Sequence, residues 1–187
     1  MSEETLNLKP KFLTEAMVKI AIGTAIYTIL DPTVHPDAFD QSNLELKRLL
    51  QPKRNQCHVV VLLPGRKEFR PCDQEADPLS VLRYEGTHFG HATELEGPYV
   101  EIARSKATQL WYDRNDDRTD IQPHLLFPGD APYWGGVKRR GIVVACSGVQ
   151  PHLDKLISGM IADILVAMAY SAWKASSDYK NEVAFLE

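Results

Sequence analysis

The chain's candidate chemistry rests on a few histidines and carboxylates and on two glycine-edged turns. His88 and His91 stand three apart, with Glu85, Glu94 and Glu96 close by. On a helical turn that spacing puts both imidazoles on one face, which would suit a metal ion or haem iron. Gly90 between them weakens the helical reading, and two unrelated loop histidines are the plainer alternative. Asp154 and His152 fall in the first turn of the last expected helix. There Asp154 either complements the helix dipole or faces a ligand as a polar anchor or proton acceptor. His152 is a candidate general base or iron ligand, or an exposed first-turn histidine. Ser147-Gly148 precedes that helix, and its backbone N–H groups would favour a carboxylate or haem propionate. The glycine is equally explained by backbone freedom at a turn.

Three cations complete the set. Arg83 and Arg104 can grip carboxylates in a bidentate way. Lys106 sits among apolar helix neighbours, so it either lays its stem on the core with its ammonium in water or closes an ion pair across a cleft. Tyr133-Trp134, just before Gly135-Gly136, would stack on a flat ligand or pack as core or interface. No Ser-His-Asp or Cys-His arrangement stands out, no glycine-rich phosphate loop follows a strand, and no paired-cysteine zinc spacing is present.

The elements that position these residues read as follows. Pro10 opens a helix with Leu13, Met17, Ile20, Ala21, Thr24 and Ala25 on one stripe, ending before Asp31-Pro32. A short helix is expected over 44–50. Cys57-His58-Val59-Val60-Val61-Leu62-Leu63 is an apolar strand of the kind covered on both faces. Pro64-Gly65-Arg66-Lys67 reads as a turn, Glu68 to Pro71 as the returning strand, and 73–97 as irregular. Pro98 starts a helix with Tyr99, Ile102, Ala103, Lys106, Ala107, Leu110 and Trp111 on one face. Residues 119–134 form an extended loop. Lys138-Arg139-Arg140 marks a hairpin turn, Gly141 to Ser147 a second core strand, and Pro151 the first position of a helix to about Ser176. Leu153, Leu156, Ile157, Met160, Ile161, Ile164, Leu165 and Met168 give that helix an apolar stripe for packing on a sheet or a partner. Two hairpins among three main helices predict an α+β domain with an antiparallel sheet.

The bulk numbers agree with one soluble domain: 187 residues, 44% hydrophobic and 25% charged. A net charge of −4 argues against nucleic acid as a partner. No uninterrupted apolar run is long enough for a membrane span, and no apolar signal core follows Met1. Cys57, Cys72 and Cys146 have no framework spacing, so reduced thiols and a cytoplasmic setting are expected.

The order of features resembles the GlcG/HbpS-like haem-degrading-domain family, which also includes the C-terminal domain of the PduO-type adenosyltransferase. Three pieces carry the resemblance: the strand and turn His58 to Phe69, the helix core Ile102-Ala103-Arg104-Ser105-Lys106-Ala107, and Gly135-Gly136-Val137 followed by Ser147-Gly148 and Asp154. The chain departs from the family at Leu63-Pro64-Gly65-Arg66, where the family strand ends in Asp before Gly-Gly. Residues 31–50 and 72–97 are longer than usual, like insertions. The resemblance implies a profilin-like fold with a mostly antiparallel five-stranded sheet spanning one domain over 1–187. It also implies homo-oligomers and haem or small-molecule binding. The first reading is then a small oligomeric haem-binding or haem-degrading protein, with His88 and His91 as iron ligands and the N–H groups near Gly148 with Arg83 or Arg104 as propionate holders. The alternative is a cofactor-independent lyase or isomerase acting on a carbonyl or carboxylate substrate, with Asp154 or His152 as acid or base. A third is a non-enzymatic scaffold assembled through the last helix.

Overall fold

A computed structural model describes residues 7–30, 45, 48, 50–67, 79–115 and 122–182. In chain order the elements are β1 (Asn7–Leu8), α1 (Glu15–Leu30), β2 (Cys57–Lys67), β3 (Leu79–His88), α2 (Tyr99–Trp111), β4 (Gly136–Arg139), β5 (Ile142–Ser147), α3 (Pro151–Ala175) and α4 (Ser177–Lys180). The protein is α+β, with an open antiparallel sheet. Its four main strands run in the order β3-β2-β5-β4, and the two residues of β1 pair with the far end of β2.

The apolar runs of β2 and β5 follow from their central places. Alternate residues of a strand face opposite sides, and here each side has its own helix layer. Val59, Val61, Leu63, Val144 and Cys146 pack under α1 and α3. Val60, Leu62, Val143 and Ala145 pack under α2, against Ala103, Ala107 and Leu110. Each buried aliphatic side chain contributes about 1.5–3 kcal/mol, so neither face can carry polar residues freely. Helix α3 passes by length and composition as a membrane span, with mean hydropathy 1.6. In this fold Leu153, Ile157, Ile161 and Leu165 of its stripe lie in the core with α1 and the sheet, Met160 and Ile164 are partly buried against it, and Leu156 is exposed.

Several expectations are corrected. Helix α1 starts at Glu15, not Pro10; the Thr14 hydroxyl accepts from the Met17 N–H at its entry (3.2 Å). Its buried stripe is Val18, Ala21, Ile22, Ala25, Ile26 and Ile29, while Ile20 is 56% exposed and Thr24 is exposed. The expected turn at 64–67 is instead a continuation of β2: Pro64, Gly65 and Arg66 pair with Val81, Ser80 and Leu79. The return strand of that hairpin is therefore β3, inside the stretch read as irregular. The expected return at 68–71 and nearly all of the helix expected over 44–50 lie outside the described residues.

The second hairpin is tight. Arg139 pairs with Ile142, leaving Arg140 (φ 49°) and Gly141 (φ 80°) as a two-residue loop. Both residues have positive φ, the conformation of a type I′ turn, which matches the twist of the strands it joins. Two residues of the basic cluster expected at this turn are engaged: Lys138 donates to Trp111 O (3.0 Å) and Asp113 (2.7 Å), and Arg139 pairs with Asp163.

Candidate functional site

Where β5 ends, the chain turns through Gly148 and enters α3 with Pro151 at its first position. Three residues later Asp154 points back toward the sheet. Its Oδ1 accepts from the Val149 N–H at 3.1 Å, and its Oδ2 from Lys106 Nζ at 3.2 Å. Lys106 reaches it from α2, 48 residues away in sequence, and also donates to the Cys146 carbonyl at 2.9 Å. Both side chains are buried, at 2% and 5% exposure. The Asp154 carboxyl is pushed above the usual carboxylate range by burial, against the pull of the Lys106 ammonium and the Val149 N–H.

The glycines are explained by what surrounds them. A Cβ on Gly148 (φ 134°) would lie 2.5 Å from the Gln56 carbonyl oxygen, and one on Gly135 (φ 121°) would lie 2.7 Å from Asp154 Cβ. A Cβ on Gly136 would lie 2.5 Å from Leu110. Gly135-Gly136 and Gly148 thus let the backbone close around the pair. Ser158, fully buried, completes the surroundings: its hydroxyl accepts from the Cys146 N–H (3.0 Å) and lies 2.7 Å from the Asp154 carbonyl and 3.1 Å from that of Gly135.

Lys106 and Asp154 line a cleft of about 360 Å³ with Arg54, Tyr99, Ile102, Tyr133, Ser147 and the turn 148–151. That size lies at the lower end for a small-molecule site. Tyr133 is 50% exposed at the cleft, and Arg54 faces Glu96 at 4.0 Å. Gln56 secures the wall beside Gly148, since its amide donates to the Glu94 carbonyl (3.2 Å) and accepts from the Glu96 N–H (3.0 Å).

Of the residues expected from sequence, the structure brings together Lys106, Tyr133, Gly135, Gly136, Ser147, Gly148 and Asp154. Trp134 is half-buried and is not part of the cleft lining. His152 is exposed in the first turn of α3 and is likewise no part of the lining. The N–H groups of the turn are not all open to an anion, because Asp154 takes that of Val149. His88 ends β3 and borders a separate groove with Ile22, Gly23, Ile26 and Tyr27 of α1, while His91 is exposed in the turn beyond it. Gly90 (φ 60°) bends the chain between them, so the helical geometry that would align the imidazoles is absent. Arg83 and Arg104 both grip Glu85 of the same chain, Arg104 with two bonds of 3.0 and 2.8 Å. They hold its carboxyl down at about 2. The haem set expected from the resemblance is therefore spread over separate places, with its arginines already paired. No group of three or more metal-binding side chains exists among the described residues. No family model, curated protein or solved structure matches the chain.

Sequence reasoning missed Arg54, Gln56, Tyr99, Ser158 and His58. Ser158 had a signal, a serine on the apolar face of a helix four residues after Asp154. His58 had none, being hidden within an apolar strand. It is buried, with Nδ1 2.8 Å from the Thr87 hydroxyl and Nε2 3.4 Å from Glu85 without a formal hydrogen bond. Burial pushes its pKa down, favouring the neutral imidazole, against the pull of Glu85.

Proposed function

We propose that the protein binds a small carbonyl or carboxylate metabolite in the cleft at the start of α3 and acts on it without a cofactor, as an isomerase or lyase, with Asp154 moving the proton. The observation that carries this is the buried Lys106–Asp154 pair opening into a small cleft. Removing two charges from water is costly unless they are paired, and a buried carboxyl held above its usual range beside a cleft marks a candidate site of chemistry. Arg54 and Tyr133 supply polar groups for a substrate carboxylate, and Tyr99 and Ile102 supply apolar walls. The test is to incubate the protein with small 2-oxo acids in deuterated water and follow exchange of the proton beside the carbonyl by NMR. Exchange by the native protein that is lost in Asp154→Asn supports the reading. Absence of both exchange and saturable binding across the panel refutes it.

The profilin-like, five-stranded assignment belongs to the same proposal. Its support is the antiparallel order, the short β1 beside β2 and the helices on both faces. A homo-oligomer is part of it too. Among the described residues the outer edge of β3 has no strand partner, and Val81 and Phe89 are exposed along it; sedimentation of a strict monomer would refute this part. The free, buried thiols of Cys57 and Cys146 support the cytoplasmic setting.

A second reading, haem binding, draws on the groove between α1 and β3, where apolar Ile22 and Ile26 stand beside Tyr27 and His88. A hemin titration decides it. A saturable Soret change that is lost in His88→Ala supports it, and featureless binding refutes it.

A further inference from the structure

Among the described residues lining the cleft, the amine of Lys106 is the strongest nucleophile, and acid–base chemistry at Asp154 alone does not use it. Two of its three hydrogen-bonding directions are filled, by the Cys146 carbonyl and the Asp154 carboxylate. Beside it, Gly135 carries no side chain: a Cβ there would stand 3.2 Å from the nitrogen and 2.7 Å from Asp154 Cβ, so the glycine is what lets the amine and the carboxyl meet at the cleft. An arginine would serve a purely structural ion pair better, since its guanidinium is always charged and bonds carboxylates bidentately. A buried lysine beside a carboxyl can instead surrender its proton, and Asp154 is placed to receive it. Arg54 and Tyr133, also lining the cleft, suit a substrate with a carboxylate next to its carbonyl.

We propose that Lys106 captures a small 2-oxo acid in this cleft as an imine, with Asp154 as the proton carrier. This rests on the small-molecule reading of the cleft and deepens it. The Lys106 ammonium first passes a proton to Asp154. The amine lone pair then attacks the carbonyl carbon, and the C–N bond forms as the C–O π bond opens. The carbonyl oxygen takes the proton from Asp154, giving a carbinolamine. A second proton leaves the nitrogen through Asp154 to the hydroxyl, the C–O bond breaks, and water departs, leaving C=N. No oxidant or reductant is consumed. The imine is an electron sink for loss of a proton at the neighbouring carbon.

The test uses the full chain with pyruvate, and separately with glyoxylate, followed by sodium cyanoborohydride to fix any imine as a secondary amine. Intact mass and peptide mapping then locate it, and pyruvate and glyoxylate binding is measured in parallel by NMR without reductant. The expected result is one reduced adduct per chain, on the peptide containing Lys106, and its loss in Lys106→Arg. Because the mapping is done on the native protein, the result stands even if that variant fails to fold. Saturable binding with no adduct at Lys106 overturns the imine and leaves the binding reading intact. Absence of both binding and adduct overturns both. Adducts scattered over surface lysines with Lys106 unlabelled overturn the imine.

Discussion

Breaking the Lys106–Asp154 pair from one side should be far more damaging than removing it whole. Lys106→Met keeps the stem and the length but leaves Asp154 with only neutral donors, the Val149 N–H and the Cys146 thiol. Asp154→Asn leaves a buried ammonium facing an amide and the Cys146 carbonyl. With both side chains at 5% exposure or less, each single change should cost about 3–5 kcal/mol. That is a large share of the 5–15 kcal/mol typical of a domain. The double variant Lys106→Met, Asp154→Asn removes both charges and should cost clearly less than the sum, with a coupling of about 2 kcal/mol or more. Urea unfolding followed by far-UV circular dichroism measures this. At a slope of about 2 kcal/mol/M, each single variant should move the midpoint down by roughly 2 M. Single costs below about 1 kcal/mol, or a double variant equal to the sum of the singles, would refute the claim that these groups are coupled and sealed from water.

The other expectations follow from local geometry. Gly148→Ala should cost about 3 kcal/mol or more, from positive φ and contact with the Gln56 backbone. Gly141→Ala, whose Cβ would meet nothing within 4 Å, should cost only about 1 kcal/mol; thermal midpoints compare the two. Ser158→Ala strands the buried Cys146 N–H and should cost about 1–3 kcal/mol, seen as faster hydrogen exchange at that amide. Glu85 is held at about 2, below its ordinary 4.5. Its contribution is therefore present above about pH 4.5 and is lost as the pH falls toward 2. Glu85→Gln should abolish this acid-dependent loss, worth about 1 kcal/mol for a partly exposed group. Urea midpoints at neutral and acid pH check it, and an unchanged acid slope in the variant would contradict the pairing.

What the sequence revealed depended on whether a residue's environment is shared with its neighbours along the chain. β5 and the first half of β2 were legible because both faces are covered and the apolar runs are unbroken. The register of α1 was not, because Met17 to Leu30 is apolar almost all round and offers no phase. β3 hid its alternation: Leu82 and Tyr84 face the α1 side while Arg83, Glu85 and Thr87 face the other, and the charges of the outer face dominate the reading. The glycines were found by type, but the contacts that require them are long-range. Lys106 and Asp154 were each suspected. An ion pair of Lys106 across a cleft was one reading, but Asp154 could not be named as its partner, since no local pattern encodes a contact between two helices on opposite faces of a sheet.

That meeting has a mechanical side. Lys106 belongs to the helix on one face and Asp154 to a helix on the other, so the pair acts as a rivet through three layers, with the Cys146 carbonyl as its washer. A carbonyl compound that claims the lysine nitrogen withdraws the rivet at the moment it enters. Occupancy of the cleft should then be legible far from it, as faster breathing of α2 against the sheet.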